Sequence, residues 1–439
     1  MGQRSDGILG VGHFAWPIGK NLMQVAAKPL CPWLNRGLMR FCFLIILSLL
    51  QPLAAFADQP LQAWLDTALP GTVLRLPAGT YRGPATINKP LTLEGNQQVI
   101  IDAGGHGTVL TIKADHVTVR GLTLRGSGDS HDQLDGGIMA EGKALLIENI
   151  VFEDVLFGIS LHKTTDSIVR HNRIRSRSVD SADRGDGIRL WYSTGNRIER
   201  NDIAQIRDIT VSNSPHNRYI ANTIRDSRRA FNFLFSHRSI IEGNRLEKNS
   251  TGIIALNSEG LIIRNNVILH AMDASGAGVA LKETSAALIQ GNEIIHCAHG
   301  IMADSPMNPL NRIVFIDNTI AHNITGIYFY GAKGGHIAIN NTFKSNLWPV
   351  TIIGDGDPMN DVWWGNSWDN YEGFDLDGDG FGDKPHELYA WADRIWLETP
   401  RATFFRNTPV LELLDFLERL APFSTPSLIL RDTAPRMRR

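Results

Sequence analysis

Four aspartates at odd spacings stand out in the segment GFDLDGDGFGDKPHELY, residues 373–389. They occupy positions 1, 3, 5 and 9 of a candidate ion-binding loop: Asp375, Asp377, Asp379 and Asp383. Oxygen ligands at these positions, with a glycine after the third, suit Ca²⁺. An EF-hand would place Glu at position 12, where this chain has His386, and would have two flanking helices. The spacing therefore predicts a structural calcium loop of another kind, and the alternative is a solvated glycine-rich turn without an ion.

The rest of the chain must supply the elements that hold such a loop. With 439 residues, of which 43% are hydrophobic and 20% charged, it can bury a large core. An export leader is predicted near the start, with Arg40 as its positive end, an apolar run at 41–50 and the small-residue cleavage site Ala55-Phe56-Ala57. We expect residues 1–57 to be an N-terminal extension with a cleaved signal peptide.

Removal of this leader changes the charge and the cysteine content. The mature chain would keep 38 basic and 44 acidic side chains, a net charge of −6, which does not favour a nucleic acid as partner. Cys31 and Cys42 would be lost with the leader. Cys297 would then be alone, so no intramolecular disulfide is expected.

A repeat of 21 to 29 residues runs through the middle of the chain. Each unit has an asparagine two residues before Ile, Leu or a similar residue, followed by a short strand that starts with Gly. A period of this size indicates a solenoid, and the short β-branched strands disfavour helical repeats. An inward asparagine at every turn could satisfy the backbone groups of neighbouring coils. The recurring asparagines are Asn149, Asn172, Asn201, Asn222, Asn244, Asn266, Asn292, Asn318, Asn341 and Asn366.

We therefore predict an all-β fold, a right-handed parallel β-helix of roughly ten coils over residues 58–369. A solenoid exposes strand edges at both ends, and these need covers. An N-terminal cap helix with Leu61, Trp64 and Leu65 inward is expected at one end. Residues 370–439 are expected to hold the calcium-like loop and an aromatic and helical cap. The apolar stripe of its helix, residues 409–420, would consist of Val410, Leu413, Leu414 and Leu417.

The C-terminal region is larger than a cap over the last coil requires. The helix 409–420 has a polar face with three acidic residues and follows a Trp-rich segment from Trp363 onward. We interpret this end as a docking segment for another protein. The alternative is that all of it covers the last coil.

The segment WWGNSWDNYEGFDLDGDGFGDKPHELY, residues 363–389, resembles the part that closes the β-helix in NosD-type proteins, the periplasmic maturation factors of nitrous oxide reductase. Residues 401–423, RATFFRNTPVLELLDFLERLAPF, resemble their C-terminal helix region, and GDGIRLWYS at 185–193 also fits. The resemblance covers nearly all of the mature chain. It departs from the pattern at His386, where relatives often have Tyr, and at AFNFLF (230–235), which lacks the His and Met that relatives often carry.

This resemblance implies partners and a role. NosD-type proteins act with an inner-membrane ABC transporter and a copper chaperone lipoprotein, and together these help to assemble the copper–sulfide cluster of nitrous oxide reductase. The chain would then be a periplasmic protein that accepts copper and serves as a scaffold, and not an enzyme. ATP would be used by the transporter, since this chain has no phosphate-binding loop of its own.

Copper favours imidazole and thioether ligands. His270, His296 and His322 each lie four residues after a repeated asparagine, in three successive coils. Alternation along a strand places this position outward, so the three imidazoles would stack on one outer edge about 4.8 Å apart. Met272, in the insertion MDASGA, and His299 are close in sequence. These five residues are the copper candidates, and the alternative is a solvated edge that tolerates histidine.

Cys297 directly follows one of these histidines. The same alternation turns its side chain inward, where neighbouring coils have Asn249 and Asn323. We predict that Cys297 is a buried packing residue and not a copper ligand.

An enzyme is the competing function. Many parallel β-helices cleave or epimerise polysaccharides with clustered carboxylates. The candidates in VDSADRGDGIRLW are Asp180, Asp183 and Asp186. No second carboxylate is expected beside them on the next coils, because Thr210 and Asn232 take the corresponding outward positions. The alternative function is therefore a carbohydrate-active lyase, hydrolase or epimerase, followed by a passive surface adhesin.

Overall fold

The computed structural model describes residues 59–177, 180–330, 333–353, 360–390 and 427–437, with the single positions 409, 413, 416 and 417. The predicted leader, residues 1–57, lies outside the described residues. In the described part, one continuous helix, Leu61–Thr67 (α1), accompanies 39 strands, most of which are short. No helix in this part is long and apolar enough to span a bilayer.

The strands form because β-branched and large apolar residues alternate with polar ones, so that one side of each strand can be buried. One face of the solenoid is a twelve-stranded sheet in which each strand pairs in parallel with the strand of the next coil. Its strands are Ala85–Ile87, Leu110–Lys113, Gly136–Glu141, Phe157–His162, Ile188–Trp191, Asp208–Ser212, Arg229–Leu234, Thr251–Leu256, Ala277–Lys282, His299–Ala303, Thr325–Tyr330 and Trp348–Ile353.

The other two faces belong to one continuous 27-stranded sheet. The second face, which precedes the repeated asparagines, consists of Val73–Arg75, Leu146–Glu148, Ile168–Arg170, Arg197–Glu199, Arg218–Ile220, Ile240–Glu242, Ile262–Arg264, Leu288–Gln290, Ile313–Ile316, His336–Ile339, Val362–Trp364 and Ser427–Asp432. The third face, which follows them, consists of Gln59–Pro60, Gly79–Arg82, Val151–Val155, Arg173–Ser176, Asp202–Ala204, Thr223–Arg225, Arg245–Glu247, Val267–Leu269, Glu293–Ile295, Thr319–Ala321, Thr342–Lys344 and Ser367–Trp368. Two long strands, Thr92–Asp102 and Thr118–Arg125, turn the corner between both faces, and His386–Ala390 is antiparallel to its neighbour.

Identical inward positions stack from coil to coil. Ile241, Ile263 and Ile289 are paired across three coils and are fully buried. Stacking of this kind gives one continuous apolar core along the axis, which is the main stabilising contribution in a solenoid.

The fold is the predicted all-β, right-handed parallel β-helix. The count of roughly ten coils was too low, because the twelve-stranded sheet takes one strand from each of twelve coils. The first coils lack the repeated asparagine and so escape a count based on it. The N-terminal cap is as predicted: α1 buries Leu61 and Leu65 completely or nearly so, and Trp64 is half-buried.

An asparagine ladder runs through the coils at the corner between the second and third faces. Each side-chain Nδ2 donates to Oδ1 of the asparagine on the next coil at 2.9 to 3.0 Å. The same Oδ1 accepts the backbone N–H of that donor residue, for example from Asn266 to Asn292 at 2.9 Å. Each member is buried: Asn172, Asn201, Asn222, Asn244, Asn266, Asn292, Asn318, Asn341 and Asn366.

Asn149 is not a member of the ladder, contrary to the sequence prediction. It is exposed with φ at 55°, and the ladder position of its coil is taken by Ile150, whose N–H donates to Oδ1 of Asn172 at 3.0 Å. The asparagine here occupies the left-handed turn position one residue earlier, which Asn tolerates well.

The ladder ends on an acidic residue from the far end of the chain. Asp432 is completely buried, and its Oδ2 accepts from Asn366 Nδ2 at 2.9 Å and from Trp368 Nε1 at 3.0 Å. Its strand, Ser427–Asp432, continues the second face and pairs antiparallel with His386–Ala390. The described residues 427–437 therefore add a strand to the C-terminal cover that the sequence analysis did not predict.

The predicted C-terminal helix lies mostly outside the described residues. Its described positions 409, 413, 416 and 417 are helical. Leu413 and Leu417, two residues of the predicted apolar stripe, are 56% and 40% exposed, and Phe416 is also 56% exposed. The other positions of residues 409–420 lie outside the described residues, so the helix as a whole and its apolar stripe stay a prediction.

Candidate functional site

Three exposed histidines form a stack at the corner between the third face and the twelve-stranded sheet. The ring centroids of His270 and His296 are 5.1 Å apart, and those of His296 and His322 are 5.3 Å apart. All three residues have a left-handed backbone, with φ between 55° and 60°. The outward stack at one ring per coil therefore has the geometry expected from the sequence.

The orientation of these rings limits what the stack can bind. The first two rings are parallel to within 2°, and the next pair is inclined by 24°. In parallel stacked rings the nitrogen lone pairs lie in the ring planes and do not converge on a point between them. A metal ion could thus be held by one ring, or by two after a side-chain rotation, which exposed residues make readily.

The two other copper candidates lie apart from this stack. Met272 is 53% exposed in its insertion. His299 starts a strand of the twelve-stranded sheet and packs against Tyr328, with ring centroids 4.8 Å apart. Burial lowers the pKa of His299, and its Nδ1 has no hydrogen-bond partner among the described residues. The structure therefore does not bring the five candidates together in one site.

Cys297 has the environment predicted for a packing residue. It is completely buried, and burial raises the pKa of its thiol to about 11. Its backbone N–H donates to Oδ1 of Asn323 at 2.8 Å, so it belongs to a second, shorter inward ladder. A neutral, enclosed thiol of this kind is a poor metal ligand, since the thiolate is the form that binds metal.

The aspartate loop gathers three of its four carboxylates. Oxygens of Asp375, Asp377 and Asp379 all lie within 4.8 Å of one another. Asp383 instead accepts the backbone N–H of Leu376 at 2.6 Å and closes the loop. The predicted four-carboxylate ligand set is thus reduced to three in this structure.

Backbone donors already serve the first carboxylate of the loop. Gly378 and Gly380 donate to the two oxygens of Asp375 at 2.7 and 2.9 Å. Desolvation raises the pKa of Asp375, but the hydrogen bonds from Gly380 and Gly378 outweigh it and lower the pKa overall. The loop can therefore hold its shape as a solvated turn, and both sequence interpretations, calcium loop and ion-free turn, remain compatible with it.

The expectation that no second carboxylate accompanies Asp186 was wrong. Asp208 lies on the next coil, and each of the two carboxylates is buried and bound by an arginine. Arg207 Nε is 3.0 Å from Asp186, and Arg228 Nε is 2.9 Å from Asp208. Burial raises the pKa of Asp186, which has a fully buried side chain. Because no solvent reaches this carboxylate, a substrate could not contact it without a rearrangement.

A pocket opens on the outer surface of the twelve-stranded sheet beside these ion pairs. Pairing across coils places Met139, Ser160 and Arg189 in one column of outward side chains, and His162 next to Trp191 in the adjacent column. Ser160 is much smaller than its neighbours, so a hollow of about 270 Å³ lies above it.

The walls of this pocket differ in character. Arg189 Nη1 is 3.7 Å from Asp186 Oδ2, and its guanidinium carbon is 5.5 Å from the centroid of the Trp191 ring. Leu134, from the loop before the sheet strand Gly136–Glu141, closes another side. The buried Oγ of Ser160 has no hydrogen-bond partner in the described part of the chain.

Sequence reasoning missed this pocket, although a signal for it existed. GGIMAE, FGISLH and DGIRLW (residues 136–141, 157–162 and 186–191) align on their shared Gly-Ile pair. In each of the three strands, the residues one and three positions after the Ile belong to the two outward columns of the pocket. The three Ile residues are separated by 21 and 29 residues, and these unequal intervals make the alignment hard to find in the sequence.

Comparison with known proteins identifies the class of this solenoid. Residues 170–373 match the family model described as "Periplasmic copper-binding protein (NosD)". The chain is 30% identical to the "Probable ABC transporter binding protein NosD" of Pseudomonas aeruginosa over 385 residues, covering 83% of this chain and 87% of that protein. It is 27% identical to the protein of the same description from Stutzerimonas stutzeri, covering 79% of this chain and 83% of that protein. The chain belongs to the NosD family.

A protein of known structure that shares this fold has a different function. The A-module of mannuronan C-5 epimerase AlgE6 from Azotobacter vinelandii superposes with a TM-score of 0.54 at 16% sequence identity. The superposition covers 70% of this chain and 94% of the A-module. At this identity the likeness shows the β-helix fold and no shared activity.

Proposed function

We propose that this protein is a periplasmic accessory factor for the maturation of nitrous oxide reductase, in which it accepts copper for assembly of the copper–sulfide cluster. Its partners in this proposal are an inner-membrane ABC transporter, a copper chaperone lipoprotein and the reductase. The chain itself binds and hands over copper and catalyses no reaction. It is exported by the leader at residues 1–57 and stays at the inner membrane through the transporter.

Membership of the NosD family carries this proposal, supported by relatives that are named as ABC transporter binding proteins. The imidazole stack adds a geometric argument. Three exposed rings at His270, His296 and His322 offer nitrogen ligands along one edge, and their parallel faces do not enclose an ion. Weak, successive contacts of this kind suit copper in transit between proteins.

The C-terminal segment is proposed as the docking site for the transporter. Leu413, Phe416 and Leu417 are apolar and exposed, as a protein-binding surface requires. Cutting the chain after Pro400 would also remove the strand that carries Asp432. The sharper test is the triple variant Leu413→Ser, Phe416→Ser, Leu417→Ser. It should stay folded and no longer co-purify with the transporter, and undiminished co-purification would contradict the docking role.

Deletion of the gene tests the proposed function directly. Nitrous oxide reductase purified from the deletion strain should lack its tetranuclear copper cluster, as read from its copper content and absorption spectrum, and a plasmid copy should restore both. An intact cluster in the deletion strain would end the proposal.

The stack is tested in the same strain by complementation. A plasmid carrying His270→Gln, His296→Gln and His322→Gln should restore less of the cluster than the wild-type copy. His171→Gln is the matched control, because His171 is exposed at a comparable left-handed turn position outside the stack. Full restoration by the triple variant would remove the stack from the copper route and leave the maturation role standing.

A further inference from the structure

We propose that the pocket above Ser160 holds Cu(I), with the thioether of Met139 and the imidazole of His162 as its ligands. This inference rests on the proposed function, since it names where the accepted copper is held. It differs from the imidazole stack in position, in ligand type and in enclosure.

The register of the coils brings these two side chains to one hollow. Met139 is paired with Ser160 on the neighbouring coil, and His162 lies two residues further along the strand of Ser160. A coil spacing of about 4.8 Å and a two-residue advance of about 6.6 Å place the two Cα atoms about 8 Å apart. A metal bridge between sulfur and nitrogen spans about 4 Å, so both outward side chains can reach a common ion in the space between them.

The chemistry of the two ligands favours the reduced ion. Thioether sulfur is a soft ligand that selects Cu(I), and imidazole is a common copper ligand. Both ligands are neutral, so binding depends on the softness of the donors and not on a compensating charge. Both side chains are half-buried at the pocket, so an ion between them would be partly shielded from water.

The remaining walls of the hollow are two apolar or aromatic side chains and one cation. The hollow of about 270 Å³ is open to solvent on its outer side and is bordered by Leu134 and Trp191. The guanidinium of Arg189 is held to one wall of the hollow, 3.7 Å from Asp186 Oδ2 and 5.5 Å from the centroid of the Trp191 ring. The unpartnered, buried Oγ of Ser160 at the floor can hydrogen-bond to a water molecule that completes the surroundings of the ion.

Competition titration with a chromophoric Cu(I) chelator tests the site on the purified mature chain. The variants are Met139→Leu, which conserves volume, and His162→Gln, which conserves size and polarity. Each should weaken Cu(I) binding by about tenfold or more. The matched control is Met302→Leu, since Met302 is half-buried on the same outer surface between Ala280 and Tyr328 and should leave the affinity unchanged.

Two spectroscopic readouts separate ligation from a change of fold. X-ray absorption at the copper edge should show one sulfur neighbour in the wild type and none in Met139→Leu. Cu(I) should quench part of the tryptophan fluorescence, and Trp191→Phe should remove that part. Unchanged thermal unfolding of the variants shows that the coils are intact.

The outcomes distinguish this site from the proposed function. If the wild-type chain binds Cu(I) and both ligand variants bind it equally well, the pocket assignment is overturned. The pocket assignment is also overturned if X-ray absorption at the copper edge of the wild type shows no sulfur neighbour. If the wild type binds no Cu(I) while the deletion strain still lacks the cluster, the pocket and the acceptance of copper by this chain both fail, and only a need for the chain in maturation stands. If the deletion strain makes a normal cluster, the maturation role fails.

Discussion

The coils and the closing segment use the same kind of hydrogen bond, but only the coils repeat it. Within the coils, each ladder asparagine donates to the next one and accepts from the one before it, so one residue type suffices for any number of turns. In the closing segment, residues 360–390 and 427–437, the last asparagine meets Asp432, which only accepts. The asparagine-to-asparagine hydrogen bond can thus be repeated from coil to coil, and the carboxylate of Asp432, which has no donor of its own, ends the ladder.

The two regions also differ in how many equivalent contacts support each polar group. Ladder asparagines have their amide groups hydrogen-bonded on both sides, and the same contact recurs on the neighbouring coils. In the closing segment, the contacts of Asp432 with Asn366 and Trp368 occur once. Because no neighbouring coil repeats these contacts, we expect the coils to be the more stable region and the closing segment to open first.

Removal of one ladder asparagine should have the largest effect. In Asn292→Ala, the N–H and Nδ2 of Asn266 and the carbonyl of Ile263 lose their partner, and Asn318 loses a donor. Buried groups left unpaired cost about 1–3 kcal/mol each, so the free energy of unfolding should fall by about 4 kcal/mol. Chemical denaturation measures it.

Glu293→Ala is the control for this variant. Glu293 directly follows Asn292, begins the strand Glu293–Ile295 and is exposed. Its replacement should change the free energy of unfolding by less than about 0.5 kcal/mol. Equal effects in both variants would contradict the structural role of the ladder.

Loss of the terminating acceptor should open the closing segment locally. Asp432→Ala leaves the N–H and Nδ2 of Asn366 and Nε1 of Trp368 without their acceptor, at a cost of about 3 kcal/mol. Hydrogen exchange should accelerate in strands His386–Ala390 and Ser427–Asp432 and not in the central coils. Asp432→Asn keeps an acceptor oxygen and should lose far less. Equal acceleration in both variants would show that the carboxylate charge, and not the acceptor, closes the ladder.

Mild acid should weaken the same segment by a smaller amount. Burial against Trp368 lowers the pKa of His386 from 6.5 to about 4, with Asp432 and Asp369 opposing the shift. A lowered histidine pKa means that the unfolded segment takes up the proton first. The stability is therefore complete above pH 6.5 and falls as the pH drops towards 4, by about 2 kcal/mol at pH 5.

His386→Phe removes this titration without adding a polar group. Hydrogen exchange in the strand His386–Ala390, corrected for its intrinsic pH dependence, should become insensitive to pH between 7 and 5 in this variant. An unchanged pH dependence would assign the acid sensitivity to another group.

Calcium should have the smallest effect. If the loop formed by Asp375, Asp377 and Asp379 binds Ca²⁺, the ion should slow hydrogen exchange in the loop by about tenfold when its concentration is about ten times the dissociation constant. A chelator should reverse the effect, and Asp377→Asn should weaken it. Exchange that is identical with and without Ca²⁺ would favour the ion-free turn.

The sequence predicted the repeating region better than the closing one for a physical reason. Spacing between like residues indicates both the coils and the phase of each side chain, which is how the buried state of Cys297 and the stacking of the histidines could be expected. The same rule misplaced Asn149, because an asparagine also suits the left-handed turn one position before the ladder.

Contacts that occur only once in the structure are not indicated by a regular spacing of like residues. Asp432 is 66 residues from Asn366 in sequence, and no repeat relates the two. The Asp208 carboxylate and the Met139–His162 pocket likewise depend on which residues become neighbours across coils of unequal length. These features require the register, which the spacing of the asparagines alone does not provide.

Native mass spectrometry of the mature chain tests the central claim, that this solenoid accepts copper, most directly. The chain is mixed with one equivalent of Cu(I) under reducing conditions and then passed over a desalting column. The account predicts a dominant species carrying one copper ion, and less of it in Met139→Leu. A chain that leaves the column free of copper would contradict the account.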